Sequence, residues 1–104
     1  MKHISVKDLK KKIDNGNNLI LIDVREPREL AMASLENAIH IPMMAIPNRT
    51  NDLDMDKPVA VMCHTGMRSM QVCMYLNQLG FDAYNVKGGI HAWSIEVDPS
   101  VPTY

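Results

Sequence analysis

Two cysteines, one Phe, five Gly and a net charge of −1 in 104 residues remove several function classes at once. Two cysteines are too few for a disulfide framework. The start, Met1-Lys2-His3-Ile4-Ser5, has no apolar signal core, so the expectation is a reducing cytoplasm, where a cysteine is catalytic or buried rather than bridged. No apolar run nears the roughly 20 residues a spanning helix needs, so no membrane association is expected. A charge balance close to zero gives no electrostatic reason for a nucleic acid or an anionic membrane as partner. The one basic run, Lys10-Lys11-Lys12, reads as the solvated face of an amphipathic helix, since nothing aromatic or basic accompanies it. Repeats, linkers and a second domain are also missing. What is present is ordinary globular material, 46% hydrophobic and 22% charged. Its length suffices for one domain, residues 1–104, with a real core, and nine methionines make that core adaptable.

Ser5-Val6-Lys7-Asp8 is a helix start, with Ser5 as N-cap and Asp8 as its partner three residues on; Val6, Leu9 and Ile13 follow at helical spacing, and Gly16 stops the helix. Leu19-Ile20-Leu21-Ile22 is a continuous apolar run, as in a strand buried on both faces of a parallel sheet. A short helix through Arg28-Glu29-Leu30 with Pro27 early in it, a strand Ile39-His40-Ile41, a short helix around Met43–Ile46 and a polar stretch Asn48–Asp56 come next. Then follow a strand at 58–62, a helix from about Ser69 to Leu79, a strand within Phe81–Val86, a Gly88-Gly89 turn and a helix around Trp93. The tail Asp98–Tyr104 is too rich in proline for regular structure. Alternating strands and helices predict an α/β domain with a central, mainly parallel sheet and helices on both faces. Asp23-Val24-Arg25 and Cys63–Arg68 both follow strands, so both belong on the carboxyl rim where such sheets bind ligands.

Cys63-His64-Thr65-Gly66-Met67-Arg68-Ser69 carries the chemistry. A lone cysteine between a strand and a helix, in a short loop with a glycine and an arginine, is arranged to be an anion. A free cysteine titrates at about 8.5, and lowering this to about 6.5 takes about 2.7 kcal/mol. A helix N-terminus supplies about 0.3–1 kcal/mol, up to about 2. The remainder falls to loop N–H donors and the charge of Arg68. Spacing separates the chemistries open to such a thiol. Cysteine phosphatases share Cys-x5-Arg, a loop wide enough for a phosphate, whereas this chain has Cys-x4-Arg, a tighter ring.

That ring resembles the active loop of rhodanese-family sulfurtransferases, and the resemblance runs along nearly the whole chain. It takes in Leu21–Leu30, Ala38-Ile39-His40-Ile41-Pro42, the loop Cys63–Ser69 and Gly80–Trp93. It implies a rhodanese-like fold and a sulfurtransferase of the thiosulfate type. Cys63 would take a sulfane sulfur from thiosulfate or a persulfide, become a persulfide itself, and pass the sulfur to cyanide or a cellular thiol. The alternatives are a sulfur-carrier or protein-interaction module without turnover and, further off, a small phosphatase or arsenate reductase. The tail, with Trp93, Asp98-Pro99 and a terminal Pro-x-Tyr, resembles the end of rhodanese domains fused to ubiquitin-activating-like enzymes, which hand sulfur to carrier proteins; a sulfur-carrier protein is therefore a candidate partner. In one place the chain departs from the family: Ala33-Ser34 stands where many relatives have Gly-His, which puts the local loop in question.

Cys63 and Arg68 are the expected catalytic pair, Arg68 stabilising the thiolate or persulfide and orienting an anionic donor. His64, Thr65, Gly66, Met67 and Ser69 line the substrate cradle, chiefly through their main-chain N–H groups. Arg25 is assigned to the same rim as a substrate contact, with a salt-bridge network among Asp23, Arg25 and Glu29 as the competing reading. Cys73 lies beside the Val72–Leu76–Leu79 stripe and is expected to be a buried thiol rather than a resolving cysteine. Trp93 is a core plug. His3, His40, His64 and His91 show no metal-ligand spacing with either cysteine, so neither metal nor cofactor is expected.

Overall fold

The computed structural model describes all residues from Met1 to Tyr104. Five parallel strands form the sheet: β1 (Lys2–Ile4), β2 (Ile20–Asp23), β3 (Ile39–His40), β4 (Val59–Met62) and β5 (Ala83–Val86), in the order β1-β5-β4-β2-β3. The helices are α1 (Val6–Asp14), α2 (Pro27–Leu30), α3 (Ile46–Arg49), α4 (Met67–Gln78) and α5 (Gly89–Glu96), with 3₁₀ turns at Met43–Ala45 and Thr50–Asp52.

Strand β4 is buried throughout, and its alternation builds both cores. Val59 and Val61 join Ile22, Ile41, Val72 and Leu76 under α3 and α4. Ala60 and Met62 join Leu9, Leu21, Val86, Ile90 and Trp93 under α1 and α5. A strand with no solvated face needs an unbroken apolar run, which is what these residues provide. Burying a side chain such as Leu76 contributes about 1.5–3 kcal/mol. Helix α4 presents Ser69, Val72, Cys73 and Leu76 inward, one face at helical spacing.

Several local readings hold. The Asp8 N–H donates to Ser5 Oγ at 3.0 Å, capping α1. Pro27 opens α2, where the missing N–H costs nothing. Others shift. The edge strand β1 carries no periodic signal in three residues, and forms because Lys2–Ile4 pairs with Tyr84–Val86. The polar stretch after Ile46 is partly helical rather than loop. Leu79, expected in the buried stripe, caps α4 and is 45% exposed.

The chain leaves β2 toward β3 on one side and leaves β4 toward β5 on the other. Since β2 and β4 are neighbours, their carboxyl ends open a crevice at the point where the winding reverses. The loops after Asp23 and after Met62 meet there, joined by the Val24 N–H to the Met62 carbonyl at 3.0 Å.

Candidate active site

Cys63 comes directly off β4, and its sulfur is gripped from the loop that follows. The Gly66 N–H donates to Cys63 Sγ at 3.1 Å, and Ser69 Oγ lies 3.3 Å from the sulfur. Gly66 caps α4 with a φ of 110°, a left-handed conformation that side chains resist. The turn therefore starts the helix at Met67, two residues earlier than the sequence predicts, and places Arg68 and Ser69 in the first turn. The first amides of that turn have no intrahelical acceptors, and the amide on the sulfur is that of the cap, Gly66.

A second helix braces the loop from below. The Ile90 and His91 N–H groups donate to the carbonyls of Cys63 and His64 at 2.9 and 3.1 Å. This approach has room for no side chain: a Cβ on Gly89 would sit 2.5 Å from both carbonyl oxygens. The Gly88-Gly89 pair, read from sequence as a turn, is thus also the floor of the cysteine loop.

Buried polar groups fix the sulfur's neighbours. Ser69 Oγ donates to Asn85 Oδ1, and Asn85 Nδ2 donates to the Gly66 carbonyl at 3.2 Å. Ser69 has one proton to give. While Asn85 holds it, a Cys63 thiol donates to Ser69 Oγ; for a thiolate, the hydroxyl can turn to the sulfur. Asn85 is a site residue that strand alternation alone does not mark.

Arg68 reaches across the crevice to Glu29, Nη1 to Oε1 at 2.6 Å and Nη2 to Oε2 at 2.8 Å. Glu29 also accepts from the Tyr104 hydroxyl at 2.6 Å, and its Oε1 accepts the Glu26 N–H at 3.0 Å. The Arg68 hydrogen bonds hold the Glu29 carboxyl well below the usual carboxylate range against the opposing effect of burial. Glu29 in turn raises Arg68, with a smaller contribution from the nearby Cys63.

Arg25 requires a correction. It is fully buried, and its nitrogens are taken by Asp23 (2.7 Å for the closest contact), the Ala33 carbonyl at 2.8 Å and the Tyr104 hydroxyl at 2.9 Å. No donor is left for a substrate, because the loop after β2 folds over the guanidinium; the salt-bridge reading holds for Asp23, whereas the Glu29 carboxylate pairs with Arg68 and gives Arg25 only its main-chain carbonyl, at 3.4 Å. The Ala33-Ser34 departure is absorbed here, since position 33 serves through its carbonyl and Ser34 is exposed.

Among the other expected cradle residues, Thr65 and Met67 are exposed while Gly66 and Ser69 are buried. His64 is half-buried, its ring stacked on Tyr104 with centroids 4.0 Å apart, and its Nε2 is buried without a partner. Cys63 itself is 1% exposed. Cys73 is also buried and free, and burial pushes its thiol up to about 12. Both cysteines belong to the core under α3 and α4; what sets Cys63 apart is that its sulfur has hydrogen-bond partners, Gly66 and Ser69.

Residues 5–96 match the model of the rhodanese-like domain. The chain belongs to the rhodanese-like family. Its fold is rhodanese-like. A crystallised rhodanese-like domain protein from Staphylococcus aureus superposes with a TM-score of 0.87 at 36% identity, covering 100% of this chain and 99% of that one. YtwF of Bacillus subtilis, provisionally named a sulfurtransferase, is 46% identical over 95% of this chain and 96% of its own length. A protein of Allochromatium vinosum named a sulfurtransferase is 35% identical over 88% of this chain and 86% of its own.

Proposed function

We propose that this rhodanese-like domain is a sulfurtransferase working through a persulfide on Cys63. The observation that carries the reading is the Gly66 N–H on Cys63 Sγ, inside a Cys-x4-Arg ring at the N-terminus of α4. The sulfurtransferase names of two close relatives support it.

The Cys63 thiolate attacks the outer sulfur of thiosulfate, or the sulfane sulfur of a persulfide. A new S–S bond forms as the old one breaks, and sulfite or a thiolate leaves with the electron pair. The terminal sulfur of the resulting persulfide is then attacked by cyanide or an acceptor thiolate, and Cys63 leaves as thiolate. No redox partner is consumed. The ring of amides and the Ser69 hydroxyl stabilise the anion in both states, the persulfide's outer sulfur taking the place at the mouth. Arg68 lends positive charge from a position fixed by Glu29, which takes one N–H from each terminal nitrogen and leaves the other N–H groups free for an anionic donor. A ring of this size favours one added sulfur over the phosphate of a phosphatase.

The test is steady-state kinetics with thiosulfate and cyanide. Parallel reciprocal plots are expected from a double displacement, and intersecting plots refute the covalent intermediate. Cys63→Ser abolishes transfer with the fold intact.

A further inference from the structure

Tyr104 joins the two halves of the rim. Its ring lies flat on the His64 imidazole, 7° between planes. Its hydroxyl donates to Glu29 Oε2 and accepts from Arg25 Nη1. The strap leading to it is tied down along its length. Ser100 closes a turn on Asp98 Oδ1 through its N–H at 3.0 Å and its hydroxyl at 2.6 Å, and Val101 packs on the α1–α5 core. Ser94 Oγ meets the Pro102 carbonyl at 3.4 Å.

We propose that Tyr104 is a positioning residue for the chemistry of Cys63: it orients Glu29 so that Glu29 fixes the Arg68 guanidinium on the rim of the cysteine loop, and it stacks on His64 next to the nucleophile. The inference rests on, and deepens, the sulfur-transfer reading. Each Glu29 oxygen has two partners, Arg68 and Glu26 on one, Arg68 and Tyr104 on the other. Four donors fix the plane of the carboxylate. Without Tyr104, Oε2 keeps one partner, and the Arg68 side chain, 34% exposed, can swing with the carboxylate toward solvent. The same hydroxyl also serves Arg25: Asp23 and Ala33 take its Nε and Nη2 groups, while Nη1 has only the Tyr104 hydroxyl at 2.9 Å and the Glu29 carbonyl at 3.4 Å. An anion approaching the sulfur would sense the loss of Arg68 more than a neutral molecule would.

The experiment compares alkylation of Cys63 by iodoacetate, an anion, with alkylation by neutral iodoacetamide, in wild type, Tyr104→Phe and Tyr104→Leu. Thermal melts monitor the fold, and Tyr104→Phe carries the test if Tyr104→Leu does not fold. The iodoacetate-to-iodoacetamide rate ratio should fall about threefold in Tyr104→Phe, which loses two charge-assisted hydrogen bonds, the one to Glu29 and the one from Arg25, and further in Tyr104→Leu. The KM for thiosulfate should rise in step while kcat stays within about twofold. An unchanged ratio in a folded variant, or equal slowing with both reagents, overturns the positioning role. The ratio needs no sulfur transfer, so a drop in a protein that carries no sulfur would sink the sulfur-transfer reading and leave the positioning role standing. A wild-type Cys63 inert to both reagents overturns both.

Discussion

Replacing Glu29 by Gln removes the charge that holds Arg68 while nearly preserving shape. The carboxylate accepts four hydrogen bonds, two from the guanidinium at 2.6 and 2.8 Å, and its side chain is 10% exposed. Bonds to a charged group contribute about 1.5–3 kcal/mol each, and removing one partner of a buried pair costs about 3–5 kcal/mol. Arg68 is a third exposed, so water recovers part of this, and Gln keeps some of the bonds. A cost of about 2 kcal/mol follows, which lowers Tm by about 10 °C in a domain of this size. Urea unfolding should show a lower midpoint with an unchanged slope. The pH dependence is the sharper readout. The Glu29 carboxyl titrates lower in the folded chain than in the unfolded one. Its contribution is therefore complete above the unfolded value of about 4.3 and is lost as pH falls toward the folded value. The gap between wild type and Glu29→Gln should be flat from neutral pH to about 5 and close below about 4. A gap under about 0.5 kcal/mol at neutral pH, or one that persists undiminished in acid, would refute the reasoning.

Gly89→Ala should disrupt the cysteine loop, because the added Cβ meets two carbonyl oxygens at 2.5 Å and the backbone sits at a φ of 60°. The expected result is lost transfer with a cost of several kcal/mol, whereas Gly16→Ala, strained at a φ of 69° but facing open space, should cost about 1 kcal/mol and spare activity; equal effects would contradict this account. Cys73 should resist iodoacetamide in the native protein at pH 8.5, since its thiol titrates at about 12, and Cys73→Ala should leave transfer rates largely unchanged. Mass-mapped labelling checks the first and kinetics the second, and a large rate loss would show that Cys73 takes part.

Much of the site was legible from local pattern. The cysteine loop stood out because an apolar strand and a helix flank it, and both leave signals within a few residues. The α1 cap was legible for the same reason, through Ser5 and Asp8. What stayed hidden depends on contacts far apart in sequence. Tyr104 meets Arg25 and Glu29 across nearly the whole chain, and a proline-rich tail with no period says nothing about where its last side chain lands. Arg25 follows a strand as a rim residue should, yet whether its guanidinium faces solvent or folds beneath the loop is decided by Asp23, Ala33 and Tyr104 together. Strand β1 exists because β5 offers an edge, not because Lys2-His3-Ile4 insists on it. The start of α4 moved because Gly66, rather than a serine or threonine, caps it.

The most direct measurement is the intact mass of the protein after exposure to thiosulfate without reductant, with Cys63→Ser alongside. The expected result is a gain of one sulfur atom that maps to Cys63, disappears on adding cyanide and is absent from the variant. No gain, or a gain that survives in Cys63→Ser, would contradict the claim that this sulfur carries the cargo.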